Sequence, residues 1–72
     1  MTKEELKSEI ELVLKNKPPY MRDGQWIFNY MDYTYGASII QKVQQEDRVD
    51  CFYRNDKVEE FLECCLKRIN NR

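Results

Sequence analysis

The strongest constraint on this chain sits in its last segment. There Val58, Phe61, Leu62, Cys65, Leu66 and Ile69 recur at helical spacing, while Glu59, Glu60, Glu63, Lys67 and Arg68 fill the opposite side. A helix divided in this way is stable only if its apolar stripe is covered. In a chain of 72 residues the cover must come from other short segments of the same core. A domain of this size buries only about 60% of the surface its unfolded chain exposes. The composition allows a real core: 42% of residues are hydrophobic, with 2 Gly and 2 Pro, which is not the composition of a disordered chain. Residues 1–72 are therefore read as a single domain, and 56–69 as its final helix. Asp56 can cap that helix, with Glu59 three residues on in a box-like arrangement. Acidic residues early and basic residues late suit the helix dipole.

The remaining segments supply the cover. Residues 2–16 read as a helix that opens on a capping box of Thr2 and Glu5 and carries Leu6, Ile10, Val13 and Leu14 on one stripe. Pro18 and Pro19 cannot continue it, so it ends near Asn16. After a stiff connector at 17–23, a second helix is expected from an Asp23 N-cap to Tyr35, with Gly36 as a left-handed stop. Residues 37–46 admit two readings. Ala37, Ile40 and Val43 suit a short helix, whereas 38–43 and 49–53 could pair as a hairpin. The fold class expected is all-α, a compact bundle of three to four short helices. The alternative is an α+β domain with a small hairpin at about 38–53.

Two motifs stand in order along the middle of the chain: Arg22-Asp23-Gly24-Gln25-Trp26-Ile27-Phe28-Asn29, then Asp50-Cys51-Phe52-Tyr53-Arg54-Asn55-Asp56 followed by Val58 and Phe61. With them, residues 21–66 resemble a loose group of small proteins from bacteria, prophages and mobile elements. That group's pattern is Arg-x-Gly-Gln-x-x-Phe-Asn opening a helix, then Asp-[Pro or Cys]-Phe-Tyr, an acidic or amide residue, and a last amphipathic helix. This chain carries Cys51 where Pro is frequent, and its longer stretch before Asp50 keeps the hairpin alternative open. The resemblance implies a fold and a mobile-element origin, and it carries no activity over.

Charge and residue inventory exclude several classes. With 12 basic and 13 acidic residues and a net charge of -1, no overall field gathers phosphates. No apolar run approaches the roughly 18 residues of a membrane helix, and the Met1–Glu5 start lacks the apolar stretch of a signal peptide. No membrane association and a cytoplasmic location are expected. The cysteines are three, with Cys64 and Cys65 adjacent, and read as reduced thiols rather than a disulfide framework. With no histidine the usual general base is missing, and neither Ser8 nor Ser38 lies in a nucleophile motif. Glu59 and Glu63 form a solvated helix face. Cys64 and Cys65 point about 100° apart and cannot easily share one metal ion. The chain is read as a non-enzyme without cofactor or metal.

Two constellations remain as candidate sites. Arg22, Gly24 and Gln25 at a helix start form a candidate anion-binding site. The competing reading is a structural turn, in which Asp23 caps, Gly24 permits close approach, and Arg22 pairs with Asp50 or Asp56. The second constellation is aromatic. At about 100° per residue, Trp26, Tyr30 and Tyr33 fall near about 0°, 40° and 340°, with Ile27 near about 100° and Met31 near about 140°. Trp26, Tyr30 and Tyr33 are read as the candidate partner-binding arc, because Trp and Tyr anchor interfaces. The competing reading lets the first helix cover them. The function expected is a non-enzymatic protein-binding module, an accessory protein of a phage or mobile element that inhibits or modulates a host factor. Its partner would be another protein or a second copy of itself. The alternatives are nucleotide or nucleic-acid binding through Arg22–Gln25 and nearby tyrosines, and a structural homo-oligomer.

Overall fold

The computed structural model describes residues 1–71. Four α-helices account for most of them: α1 (Lys3–Lys15), α2 (Asp23–Tyr35), α3 (Ala37–Lys42) and α4 (Val58–Asn70). A π turn at Val43–Asp47 follows α3, and a 3-10 turn at Asn55–Lys57 leads into α4. The all-α expectation holds. The hairpin alternative does not form, since no strand occurs among the described residues. Ile39, Ile40 and Val43 are all buried. Burial of two adjacent residues and a third three further on suits a helix, whereas a strand sends neighbours to opposite faces.

The first helix starts where its capping box places it. The Glu5 N–H donates to Thr2 Oγ1 at 3.1 Å, and the Thr2 N–H donates to Glu5 Oε1 at 2.9 Å. Three other caps depart from expectation. Arg22, not Asp23, is the N-cap of α2, and it offers no side-chain bond. Asp23 is instead the first helical residue and faces Lys17 at 3.4 Å. Asp56 does not cap α4, because the 3-10 turn intervenes and Asp56 is taken by Arg54 through bonds of 3.1 and 2.8 Å. Gly36 does end α2 with positive φ, but at φ 104 its ψ of 145 places it outside the left-handed helical well. One glycine with nothing near its Cβ position thus turns α2 directly into α3. The left-handed residue is Arg48, at φ 56. It closes the π turn, and the Val49 N–H then reaches Val43 O at 3.3 Å.

One core joins all four helices: Leu6 and Ile10 of α1, Ile27 and Met31 of α2, Ile40 of α3, Val43, Val49 and Cys51 of the connection, and Phe61 and Cys65 of α4. Phe61 is fully buried, with its ring stacked on Phe28 at 5.6 Å between centroids. No charged or polar residue is buried, and no buried side-chain N or O lacks a hydrogen bond among the described residues. Polar bonds clamp the bundle from outside. Arg68 of α4 forks onto Asp47 at 2.9 and 3.0 Å. The terminal amine of Met1 donates to Asn70 Oδ1 at 3.1 Å, and Asn70 Nδ2 donates to Met1 O at 2.9 Å. With Lys3 facing Glu63 at 3.4 Å, these contacts make α1 and α4 antiparallel neighbours.

Two predictions follow from this packing. Phe61→Ala should cost about 3–5 kcal/mol, about half of the roughly 5–10 kcal/mol such a domain holds, so the variant should melt at a much lower temperature by circular dichroism. The second concerns acid. Bonds from Arg68, Arg54 and the Thr2 backbone hold the carboxyls of Asp47, Asp56 and Glu5 below their ordinary values. Groups depressed in the folded state protonate first in the unfolded chain. Their stabilisation is present above the unfolded values of 3.8 and 4.5 and is lost as pH falls through the lower folded ones. The melting temperature should drop between about pH 5 and about pH 2, and less steeply in Asp47→Asn.

Candidate functional site

The two sequence motifs meet at the start of α2. Gly24 is buried against the loop that precedes α4, and a Cβ placed on it would lie 2.1 Å from the Cys51 carbonyl oxygen. No side chain fits there. The Gly24 N–H donates to Asn55 Oδ1 at 2.9 Å, and the Cys51 thiol donates to Gly24 O at 3.3 Å. Asn55, thirty-one residues away, thus supplies the helix cap that Arg22 and Asp23 do not. Of the candidate anion site, Arg22 is exposed, Gln25 is half-buried, and the N–H of Gly24 is already taken. Neither expected partner pairs with Arg22: Asp50 accepts from Gln44 and Phe52, and Asp56 from Arg54. The rings of Phe28 and Phe52 meet edge to face at 5.4 Å, so the motifs form one packed unit.

The aromatic arc is divided. Trp26 is half-buried, and its Nε1–H donates to Val13 O at 2.9 Å, satisfying a carbonyl near the end of α1. Tyr30 donates to Glu9 at 2.5 Å, and Tyr35 donates to both oxygens of the same carboxylate at 3.0 and 2.8 Å. Burial first, then the Glu9 bond, pushes the Tyr30 phenol up from its ordinary value. The first helix therefore covers Trp26 and Tyr30. Tyr33 alone of the three points outward, at 92% exposure. Nearby groups do little to extend it into a patch, because Asp32 and Thr34 beside it are themselves exposed and polar.

The thiols are poorly suited to chemistry. Cys51 and Cys65 are fully buried, and burial is the main cause that pushes each up to about 12. Cys64 is also raised, by burial and then by the charges of Asp47 and Glu60. Among the described residues no three Cys, Asp or Glu side chains converge as metal ligands would, and no helix is long and apolar enough to cross a membrane.

A groove with room for a ligand, about 530 Å³, lies between α1 and α4. Its floor is Leu6 and Ile10 of α1 with Val58, Leu62 and Leu66 of α4. The α1 side chains are buried, whereas Val58, Leu62 and Leu66 keep part of their surface in water. Lys3, Lys7 and Glu11 form one rim and Asp56, Glu59 and Glu63 the other. Sequence reasoning assigned the whole α4 stripe to the core and so missed this groove. The signal was its width. From Phe61 to Leu66 the stripe spans about 140°, more than the roughly 100° one packed face requires. Phe61 and Cys65 hold the core edge, and Leu62 and Leu66 the groove edge.

Comparison with protein-family models, with curated proteins and with solved structures finds no match to this chain.

The Gly24 contact carries its own prediction. Asn55→Ala should cost about 0.5–2 kcal/mol, the loss of a helix cap. Gly24→Ala should cost more, because the Cys51 backbone must move to admit a methyl group, and overpacking of this kind costs about 1–3 kcal/mol or more. Urea denaturation of the two variants gives the ranking directly, and a Gly24→Ala protein as stable as the parent would show that the loop yields freely.

Proposed function

We propose that this chain is a non-enzymatic protein-binding module that receives an apolar surface of its partner in the α1–α4 groove. The observation that carries this reading is the partial exposure of Val58, Leu62 and Leu66 along a groove with charged rims. Interfaces bury an apolar centre inside a polar rim, and the groove has that layout before any partner arrives. The inventory points the same way: the chain has no histidine, and its thiols are held protonated at neutral pH. The resemblance of residues 21–66 to small prophage and mobile-element proteins supports an accessory role, in which the module inhibits or modulates a host factor. Trp26 and Tyr30 act in this reading as the struts that hold α1 in place, through Val13 and Glu9, and not as partner contacts.

The test is a titration of the isotope-labelled chain, followed by amide chemical shifts. The probe is a synthetic amphipathic helical peptide with leucines on one face. Shifts should saturate below about 1 mM peptide, an affinity of roughly -4 kcal/mol or better, and should cluster on Leu6, Ile10, Leu62 and Leu66. Inorganic phosphate is the contrasting probe. Phosphate-dependent shifts at Arg22 to Gln25, with no peptide response in the groove, would replace this reading by the anion-binding one.

A further inference from the structure

Resting on the groove reading, we infer that the groove's occupant is helix α4 of a second copy of this chain, seated antiparallel to the first copy's α4 across a two-fold axis. The argument is the order of charge along the groove. Going along α1 the rim reads Lys3, Lys7, Glu11, and opposite it the rim reads Asp56 of the 3-10 turn, then Glu59 and Glu63 of α4, with Lys67 one turn further on the same row. Because α1 and α4 are antiparallel, the end near Glu11 and Glu59 is acidic, and the end near Lys3 and Lys67 carries the cations, with Glu63 there paired to Lys3 and Asp56 at the other end paired to Arg54.

A second α4 brings the matching pattern. Its solvent side begins with Glu59, Glu60 and Glu63 and ends with Lys67. Laid antiparallel to the first α4, it runs parallel to α1. Its acidic start then lies towards the basic end of the groove, and its Lys67 towards the acidic end. Laid the other way, it would set glutamates against glutamates. The apolar positions agree with the antiparallel choice. When Leu62 of one helix faces Leu66 of the other, Leu66 faces Leu62 in return, as a two-fold interface demands. The same register sets Lys67 opposite position 61 of the second copy, between its Glu59 and Glu63.

The internal ion pairs leave part of this pattern available, since Lys3, Asp56, Glu60 and Glu63 each have a partner within the chain. Arg68 is occupied by Asp47, Asp56 by Arg54, and Lys3 by Glu63 at 3.4 Å. Lys7, Glu11, Glu59 and Lys67 have no ion pair within the chain among the described residues. They are the charges that the two-fold arrangement brings within reach of opposite ones. A net charge of -1 leaves little general repulsion between copies.

Sedimentation equilibrium of the full chain tests the inference. The expected species at low salt is twice the monomer mass, dissociating more readily as salt screens exposed charges. Lys67→Glu should weaken the dimer about tenfold, since reversal turns two symmetry-related attractions into repulsions. Glu59→Lys should weaken it similarly, and the two together should restore most of the loss. All three proteins carry changes only at exposed positions, and a cooperative melt confirms that each is folded. Leu62→Asp should leave a monomer; if that variant fails to fold, the charge exchange still decides. A monomer at every concentration up to about 1 mM, or a double variant no better than the singles, overturns the second copy as occupant. If the monomer still takes the amphipathic peptide in its groove, the binding-module reading stands without the dimer. If it takes neither, both fall.

Discussion

Much of the architecture hangs on the place where the Cys51 carbonyl occupies the space of a side chain that Gly24 does not have. At 2.1 Å from a would-be Cβ, the contact brings the backbone of the loop onto the first turn of α2. From that position Asn55 reaches the Gly24 N–H and the Cys51 thiol reaches the Gly24 carbonyl. The loop leads directly into α4, so its placement also sets where Phe61 enters the core. Phe28, one turn along α2, then meets both Phe52 of the loop and Phe61 of the helix. A cap, a buried thiol and an aromatic cluster are thus consequences of one close backbone approach, which only glycine permits.

The first helix is held differently. It contributes Leu6 and Ile10 to the core, but it is bound to α2 by specific polar contacts, through Glu9 and the Val13 carbonyl. Towards α4 its links are the Lys3–Glu63 pair and the clasp between Met1 and Asn70, all near one end. Between that end and Asn55 the two helices enclose the groove. Aromatic side chains draw α1 onto α2 through polar bonds, whereas the polar links to α4 lie near Met1 and Lys3. Trp26, Tyr30 and Tyr35 thus hold α1 on α2, while Tyr33 faces outward.

Local features were legible in the sequence. The Thr2–Glu5 box, the stop at Pro18 and the amphipathic division of 58–69 all appear where periodicity and capping chemistry put them. Those signals act within one or two turns, and nothing distant overrides them. The caps of α2 and α4 were not legible. Asp23 and Asp56 have the right chemistry, but a residue from another part of the chain serves one helix start, and a 3-10 turn displaces the other. The candidate groove was half legible, since the width of the α4 stripe was visible while its division between core and solvent was not.

The sequence by itself determined that this chain builds short helices around one apolar core, because spacing, proline placement and charge order are properties of neighbouring residues. Only the tertiary structure decided which side of the aromatic arc α1 covers, which residue caps α2, how Arg48 closes the π turn, and which leucines of α4 remain in water. Each of these depends on what packs opposite a residue, and the element opposite is set by contacts between segments far apart along the chain.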